Sequence, residues 1–316
     1  MTEYKHLNKK TNEVMELSLD ERVRWARKEH FVLYPKAIKC LNQLEWVFSQ
    51  CDVESAPDLI FDQEGFTIIG DSGVGKSSIV RQFIRMHPSK HLAEHECYPV
   101  GYCMLKDSAT NLKGLYSAML GAYKHPYGDG DAFRLKKITV DTLENVLVHM
   151  LRKSGTRIFI IDEFQHADGR NQQSILNQLK RTMLVARVPF IPVGTNEVRQ
   201  ILDVDIQLAD RCPIKDYSAL ANWTYDNDFK KFLAGYEHFI PLPEPSNLHS
   251  NDMARAIFDR VKFVPATDTQ MASTPSETQE ESNLRRITRF LTKVQVTALK
   301  SNKSNITMED IKGVAN

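Results

Sequence analysis

Apolar and polar positions divide the chain into two kinds of stretch. Between residues 66 and 208, short apolar runs alternate with longer segments at helical spacing; from residue 226 onward only helical spacing remains. The short runs are residues 66–69, 98–105, 157–161 and 188–195. They are brief and rich in β-branched and aromatic residues, so each predicts a buried strand. Segments 78–86, 111–123, 139–153, 171–187 and 198–208 repeat apolar residues every third or fourth position and predict helices. Residues 19–49 predict two more, broken at Tyr34-Pro35, the second presenting Ile38, Leu41, Leu44, Val47 and Phe48 on one face. Past residue 226, helices are expected at 228–236, 252–261, 283–299 and 308–314. Strand–helix alternation followed by helices alone predicts an α/β unit, a parallel sheet between helices, with an all-helical C-terminal part.

The boundaries follow the same pattern. Residues 1–20 are polar and expected to form an arm, residues 21–225 the α/β domain, and residues 226–316 the helical domain. Residues 265–282, rich in Thr, Ser, Gln and Glu, carry almost no bulky apolar side chain and are expected to be a mobile insertion. At 316 residues the chain has room for both domains. Its 41 lysines and arginines nearly balance 40 aspartates and glutamates, so any basic surface must be local. The five cysteines lack C-x-x-C spacing, which points to buried free thiols in a reducing compartment. The first residues, with Lys5, Lys9, Lys10 and Glu13, contain no apolar signal core, and no stretch reaches the length of a membrane span. A cytoplasmic protein with no membrane partner is the expectation.

Chemistry concentrates at two strand ends. After the strand at 66–69 comes Gly70-Asp71-Ser72-Gly73-Val74-Gly75-Lys76-Ser77, which fits G-x-x-x-x-G-K-[ST] and runs into a helix. Glycines let the backbone bend so that successive N–H groups face one centre beside the positive end of a helix dipole. Asp71, Ser72, Gly73, Val74, Gly75, Lys76, Ser77 and Ser78 are thus expected to cradle a nucleoside triphosphate. Lys76 would reach the outer phosphates, and the Ser77 hydroxyl would serve Mg²⁺. The second strand end is Ile158-Phe159-Ile160-Ile161-Asp162-Glu163, an apolar run that delivers two carboxylates to its C-terminal edge. Asp162 is expected to hold Mg²⁺ and Glu163 to orient the attacking water. Thr195 and Asn196, closing the strand at 188–195, would sense the terminal phosphate or serve as a helix cap. His166 reads as a loop residue capping the next helix. Arg211, stopped by Cys212-Pro213, lies at the rim of the α/β unit.

Several segments resemble a known family. His30-Phe31-Val32-Leu33-Tyr34-Pro35-Lys36-Ala37 looks like the leading segment of the transposition ATPases TniB and TnsC, as does Gln207-Leu208-Ala209-Asp210-Arg211. Trp223, residues 226–232, Glu237 and Pro241-Leu242-Pro243-Glu244-Pro245-Ser246-Asn247-Leu248 are similar to the opening of their C-terminal domain. The resemblance spans roughly residues 20–300 and implies an AAA+ P-loop NTPase core with a small C-terminal all-helical lid domain. It further implies that Tyr34 and Pro35 line the adenine pocket and that Thr195 or Asn196 is the first sensor. Arg211 would be the finger reaching a neighbour's ATP, and Arg285 or Arg286 the second sensor, although the usual glycine before that helix is absent. The implied activity is ATP hydrolysis with Mg²⁺ by a homo-oligomeric ring or helical filament of about six or seven subunits per turn on target duplex DNA. The implied partners are transposase subunits and a target-selection protein of the TniQ or TnsD type, with or without an RNA-guided complex. Candidate DNA contacts are Lys106, Lys113, Arg134, Lys136 and Lys137, each of which also fits an ordinary exposed cation. A helicase loader or replication initiator, and a nucleotide-gated DNA scaffold with incidental hydrolysis, are the competing readings.

Overall fold

The computed structural model describes residues 4–51, 64–91, 96–106, 111–129, 137–167, 172–263 and 280–314. In chain order the helices are α1 (Lys9–Met15), α2 (Leu19–Ala26), α3 (Pro35–Gln50), α4 (Lys76–Met86), α5 (Leu112–Gly121), α6 (Val140–Lys153), α7 (Gln172–Ala186), α8 (Val198–Asp203), α9 (Ile206–Arg211), α10 (Asn227–Glu237), α11 (Asn251–Val261), α12 (Leu284–Lys300) and α13 (Met308–Gly313). The strands are β1 (Thr67–Gly70), β2 (Lys90–His91), β3 (Glu96–Cys97), β4 (Val100–Met104), β5 (Ile158–Asp162), β6 (Phe190–Gly194) and β7 (Ile214–Leu220). They divide into two compact units: a sheet unit of residues 39–71 and 76–220, and a helical unit of residues 1–38, 72–75 and 221–316.

In the sheet unit five strands run in the order β4-β5-β6-β1-β7. All of the pairings are parallel, with Tyr102 beside Ile160, Ile160 beside Ile191 and Ile68 beside Val193. Parallel neighbours need crossovers, and the sequence supplies them as amphipathic helices. Ile158, Phe159, Ile160 and Ile161 are fully buried. Phe159 and Ile161 belong to a core with Leu115 and Tyr116 of α5, Leu143 and Leu147 of α6, and Ile175 and Leu179 of α7. Because the strands share one direction, Gly70, Met104, Asp162 and Gly194 all end at the same edge of the sheet. Loops that leave this edge can converge there.

The hydrophobic pattern does not announce β7. Its Ile-Lys-Asp-Tyr-Ser-Ala-Leu sequence mixes charge with apolar residues, and Lys215 and Asp216 are exposed. Pairing with β1 jumps from Thr67–Ile214 to Ile69–Ala219, leaving a bulge. The Ser218 hydroxyl closes it by donating to the Lys215 carbonyl and accepting from the Lys215 N–H, both at 3.0 Å. Upstream, the Gly65 N–H donates to Arg211 O (2.8 Å) and the Thr67 hydroxyl to Cys212 O (2.6 Å), tying the end of α9 to the base of β1.

The helical unit buries Phe229, Phe232, Phe258, Leu291 and Val294. Residues 4–20, the described part of the segment expected as a polar arm, belong to this unit. Asn8 donates its amide to His238 O (2.8 Å), and the Trp25 indole donates to Phe239 O (3.2 Å). The Gln295 amide of α12 donates to Ala26 O at the end of α2 (2.9 Å). The proline-rich stretch is fixed by one buried carboxylate, Glu237, which accepts from the N–H groups of Ser246, Asn247 and Leu248. Residues 281 and 282 of the expected insertion are paired, Ser282 with Trp223 and Glu281 with Phe263; residues 264–279 lie outside the described residues.

The five cysteines are free; Cys40, Cys51, Cys103 and Cys212 are buried, and burial pushes the Cys40 and Cys212 thiols up to about 12. Asp205 is the polar anchor of α9. Its carboxylate accepts from the Leu208 N–H (3.0 Å), Lys180 Nζ (2.6 Å) and Gln173 Nε2 (3.0 Å). Burial raises its pKa, but Lys180, the Leu208 amide and Gln173 together outweigh it, so the carboxyl titrates below its usual range. A depressed folded-state pKa means that the stability it confers is present at neutral pH and lost as the pH falls below about 4. Asp205→Ala is expected to cost about 2 kcal/mol or more at pH 7, through loss of the cap and an unpaired Lys180. Thermal unfolding should show that deficit narrowing as the pH is lowered through that range.

Candidate active site

The loop from β1 to α4 passes through two left-handed glycines, Gly73 (φ +88°) and Gly75 (φ +111°). Space as well as backbone geometry demands glycine here. Within the helical unit, a Cβ on Gly75 would lie 2.8 Å from Leu284 and 3.2 Å from the Tyr34 hydroxyl, and one on Gly73 would lie 3.2 Å from Asn283 and Arg285. Val74 between them is buried. Asp71 and Ser72 are exposed. Lys76, nearly buried at the start of α4, donates to Gly70 O (2.6 Å) and Asp71 O (2.9 Å), so the loop's own carbonyls hold its ammonium at the bend. Ser78, two residues further on, accepts from Arg81 (3.3 Å).

Asp162 is brought to the same edge by β5. It is only 2% exposed, and its Oδ2 accepts from the Ser77 hydroxyl at 3.0 Å. The same oxygen accepts from the Tyr102 hydroxyl at 3.2 Å, and Oδ1 accepts from the Glu163 N–H at 2.9 Å. Burial, reinforced by the charge of Asp162, pushes the Tyr102 phenol above its ordinary range and keeps it a donor. Sequence reading did not single out Tyr102; only strand order reveals that β4 lies beside β5. Glu163 follows in a left-handed conformation, φ +55°, which costs a non-glycine residue about 1 kcal/mol. Such an outlier marks a place where the surroundings dictate geometry. The Glu163 carboxylate accepts from the Gln165 side-chain amide, whose oxygen accepts from the Thr195 N–H at 3.2 Å. His166 lies in the 3₁₀ turn Phe164–Ala167 that carries Gln165.

At the end of β6 the two sensor candidates part company. The Asn196 amide donates to Asp71 Oδ1 at 2.9 Å, whereas the Thr195 hydroxyl donates to Glu197 at 3.2 Å. Neither caps α8, whose N-cap is Glu197. Asn196 is thus the side chain that reaches the phosphate loop. Arg211 ends α9, partly exposed.

In the helical unit Tyr34 is buried and packs edge-on against Trp223 (5.0 Å between ring centroids) and Phe232 (6.2 Å), with Pro35 beginning α3. Asn283 caps α12 by accepting from the Arg286 N–H (3.0 Å), and the Arg285 N–H donates to Gly73 O (3.0 Å). Arg286 stacks its guanidinium 5.3 Å over Phe263. The structure therefore separates this arginine pair, with the Arg285 backbone on the phosphate loop and Arg286 on an aromatic ring. Of the candidate DNA contacts, Lys106 follows β4 and is exposed, Lys113 lies in the first turn of α5, and Lys137 is exposed ahead of α6. Arg134 and Lys136 lie outside the described residues.

Among the described residues no group of three or more His, Cys, Asp or Glu gathers. The Ser77 hydroxyl and Asp162 carboxylate instead meet as a pair of hard oxygen donors. That set suits a cation such as Mg²⁺, which takes few protein ligands and completes its shell with phosphate and water. Among the described residues, no helix is long and apolar enough to cross a membrane.

Parallel strands in this order, a glycine loop entering α4, carboxylates ending β5 and helices following the sheet define an AAA+ P-loop ATPase fold. The fold is shared with Aeropyrum pernix ORC2 in ADPNP–ADP complexes (TM-score 0.57, 13% identity, 92% of this chain and 70% of that one). It is shared also with Aeropyrum pernix ORC1 in complex with DNA (TM-score 0.56, 14% identity, 92% and 68%). The family description "Bacterial TniB protein" matches residues 22–224, and the chain belongs to the TniB family. No curated protein matches the chain in sequence.

The glycine geometry has a direct test. Gly75→Ala is expected to destabilise the protein by about 1–2 kcal/mol, since it adds left-handed strain and a 2.8 Å contact with Leu284. Gly313→Ala, at the end of α13 where nothing lies within 4 Å, serves as the control and should leave the urea midpoint unchanged or slightly raised.

Proposed function

We propose that the chain is a Mg²⁺-dependent ATPase that regulates DNA transposition by assembling on target duplex DNA. Membership of the TniB family, over a segment that contains every residue of the β1 loop and the β5 carboxylates, is the observation that carries this reading. Asp71 to Ser78 would hold the phosphates, with Lys76 turning from the loop carbonyls to the outer phosphates, and Tyr34 and Pro35 would line the adenine pocket. Ser77 and Asp162 would hold Mg²⁺, which would bridge phosphate oxygens and offset the charge that develops on them. Glu163 orients the attacking water. Asn196, already in contact with Asp71, is the better placed of the two candidates to register the terminal phosphate, and Thr195 acts beside it through its backbone. Arg285, on the loop side of α12, fits the second-sensor role better than Arg286.

Arg211 would reach the triphosphate of an adjacent copy. Its charge compensates phosphate charge that is present only with ATP, so the triphosphate holds neighbours together and hydrolysis releases them. A ring or filament multiplies a modest positive charge per subunit along the duplex, through residues such as Lys106, Lys113 and Lys137. The assembly would link a target-selection protein to the transposase subunits.

Electron microscopy with duplex DNA tests this directly. A slowly hydrolysed ATP analogue should give DNA-threaded rings or filaments, and ADP far fewer. Arg211→Ala should abolish them while leaving nucleotide affinity within about twofold, because the finger contacts only the neighbour's site. Glu163→Gln should slow hydrolysis by at least about a hundredfold and leave assemblies that persist on DNA. Persistent assemblies that still discriminate targets would show that hydrolysis is incidental.

A further inference from the structure

We propose that Gln165 is a positioning residue for hydrolysis, holding the Glu163 carboxylate and tying it to the end of β6. This rests on the reading of Glu163 as the group that orients water.

Three observations in the sheet unit carry it. The Gln165 side chain is bonded at both ends: its nitrogen donates to the Glu163 carboxylate and its oxygen accepts from the Thr195 N–H at 3.2 Å. Only one orientation of the amide satisfies both partners, since a carboxylate needs a donor and an N–H needs an acceptor. Glu163 is held at φ +55°, an uncommon conformation for a residue other than glycine, of the kind that persists where the surroundings over-determine the geometry. Gly194, the last residue of β6, provides the room: a Cβ there would lie 2.4 Å from the Gln165 oxygen.

The chemistry of the link suits the task. A neutral amide fixes a carboxylate without cancelling its charge, as an arginine or lysine would, and it occupies one carboxylate oxygen while leaving the other for water. Thr195 is followed by Asn196, whose amide donates to Asp71 in the phosphate loop. A rearrangement at residues 195–196 when a phosphate arrives therefore reaches Glu163 through one side chain. Gln165 does not touch the reacting atoms in this scheme; it acts through Glu163.

The test is ATP hydrolysis by the full chain with Gln165→Leu, which keeps the bulk and removes the amide, in wild-type and Glu163→Gln backgrounds. Melting temperature and nucleotide affinity are measured alongside. Misplaced catalytic groups lose rate steeply, so kcat should fall about tenfold or more with KM within about twofold. In the Glu163→Gln background, single-turnover phosphate release should show no further loss, because a residue acting through Glu163 has nothing left to position. Unchanged kcat, a loss confined to KM, or an equal loss in both backgrounds overturns the proposal. So does a loss of rate accompanied by loss of fold or nucleotide affinity in both Gln165→Leu and the gentler Gln165→Ala, which would mark the amide as merely structural. If wild-type protein hydrolyses ATP and Glu163→Gln does so far more slowly, the functional reading stands whatever Gln165 does; if wild-type protein is inert, that reading itself has failed.

Discussion

A single contact, the Ser77 hydroxyl on the Asp162 carboxylate at 3.0 Å, shows what the fold accomplishes. The two residues are far apart in sequence, on different elements, and β6 stands between their strands. They meet because every strand from β4 to β7 runs the same way, so each strand's last residue is delivered to one edge. A nearly buried carboxylate needs partners, and here Ser77, Tyr102 and the Glu163 N–H provide them. The interior makes this placement firm. Ile158 to Ile161 are buried on both faces of the sheet, and a slip of one residue in β5 would drive Asp162 into the core.

Much of this was legible in the sequence. The helices of the C-terminal half fall within a residue or two of their expected positions, since their apolar stripes are strong and their starts are marked by caps at Asp226, Ser250 and Asn283. The four buried strands and the glycine loop were equally plain, because nothing but a strand makes use of Ile-Phe-Ile-Ile before two acids. The Ser77 hydroxyl meets the Asp162 carboxylate across β6, while Lys76 donates to the loop carbonyls of Gly70 and Asp71.

What escaped did so for physical reasons. β7 has no uniform burial to write into its sequence, being a bulged outer strand with charge at its bend. The N-terminal residues look polar because few of them are buried, Leu7, Thr11 and Val14 among those described, and hydrogen bonds such as the Asn8 amide to His238 O complete their attachment to the helical unit. The choice between Thr195 and Asn196, and between Arg285 and Arg286, depends on directions that neighbours in sequence do not share. Tyr102 and Gln165 matter by virtue of what lies across a strand or a turn from them, and no spacing rule encodes that.

The bulge in β7 bears on how copies of such a protein can associate. A sheet's outermost strand presents unsatisfied backbone groups, and a flat one invites another chain to continue the ladder. Here Lys215 and Asp216 project at the very point where the strand kinks, and the Ser218 hydroxyl has already taken up the Lys215 amide and carbonyl. Continuation of the ladder at this margin is therefore blocked by geometry and by charge. Any association at this margin would be left to side chains, which release more readily than a continued sheet.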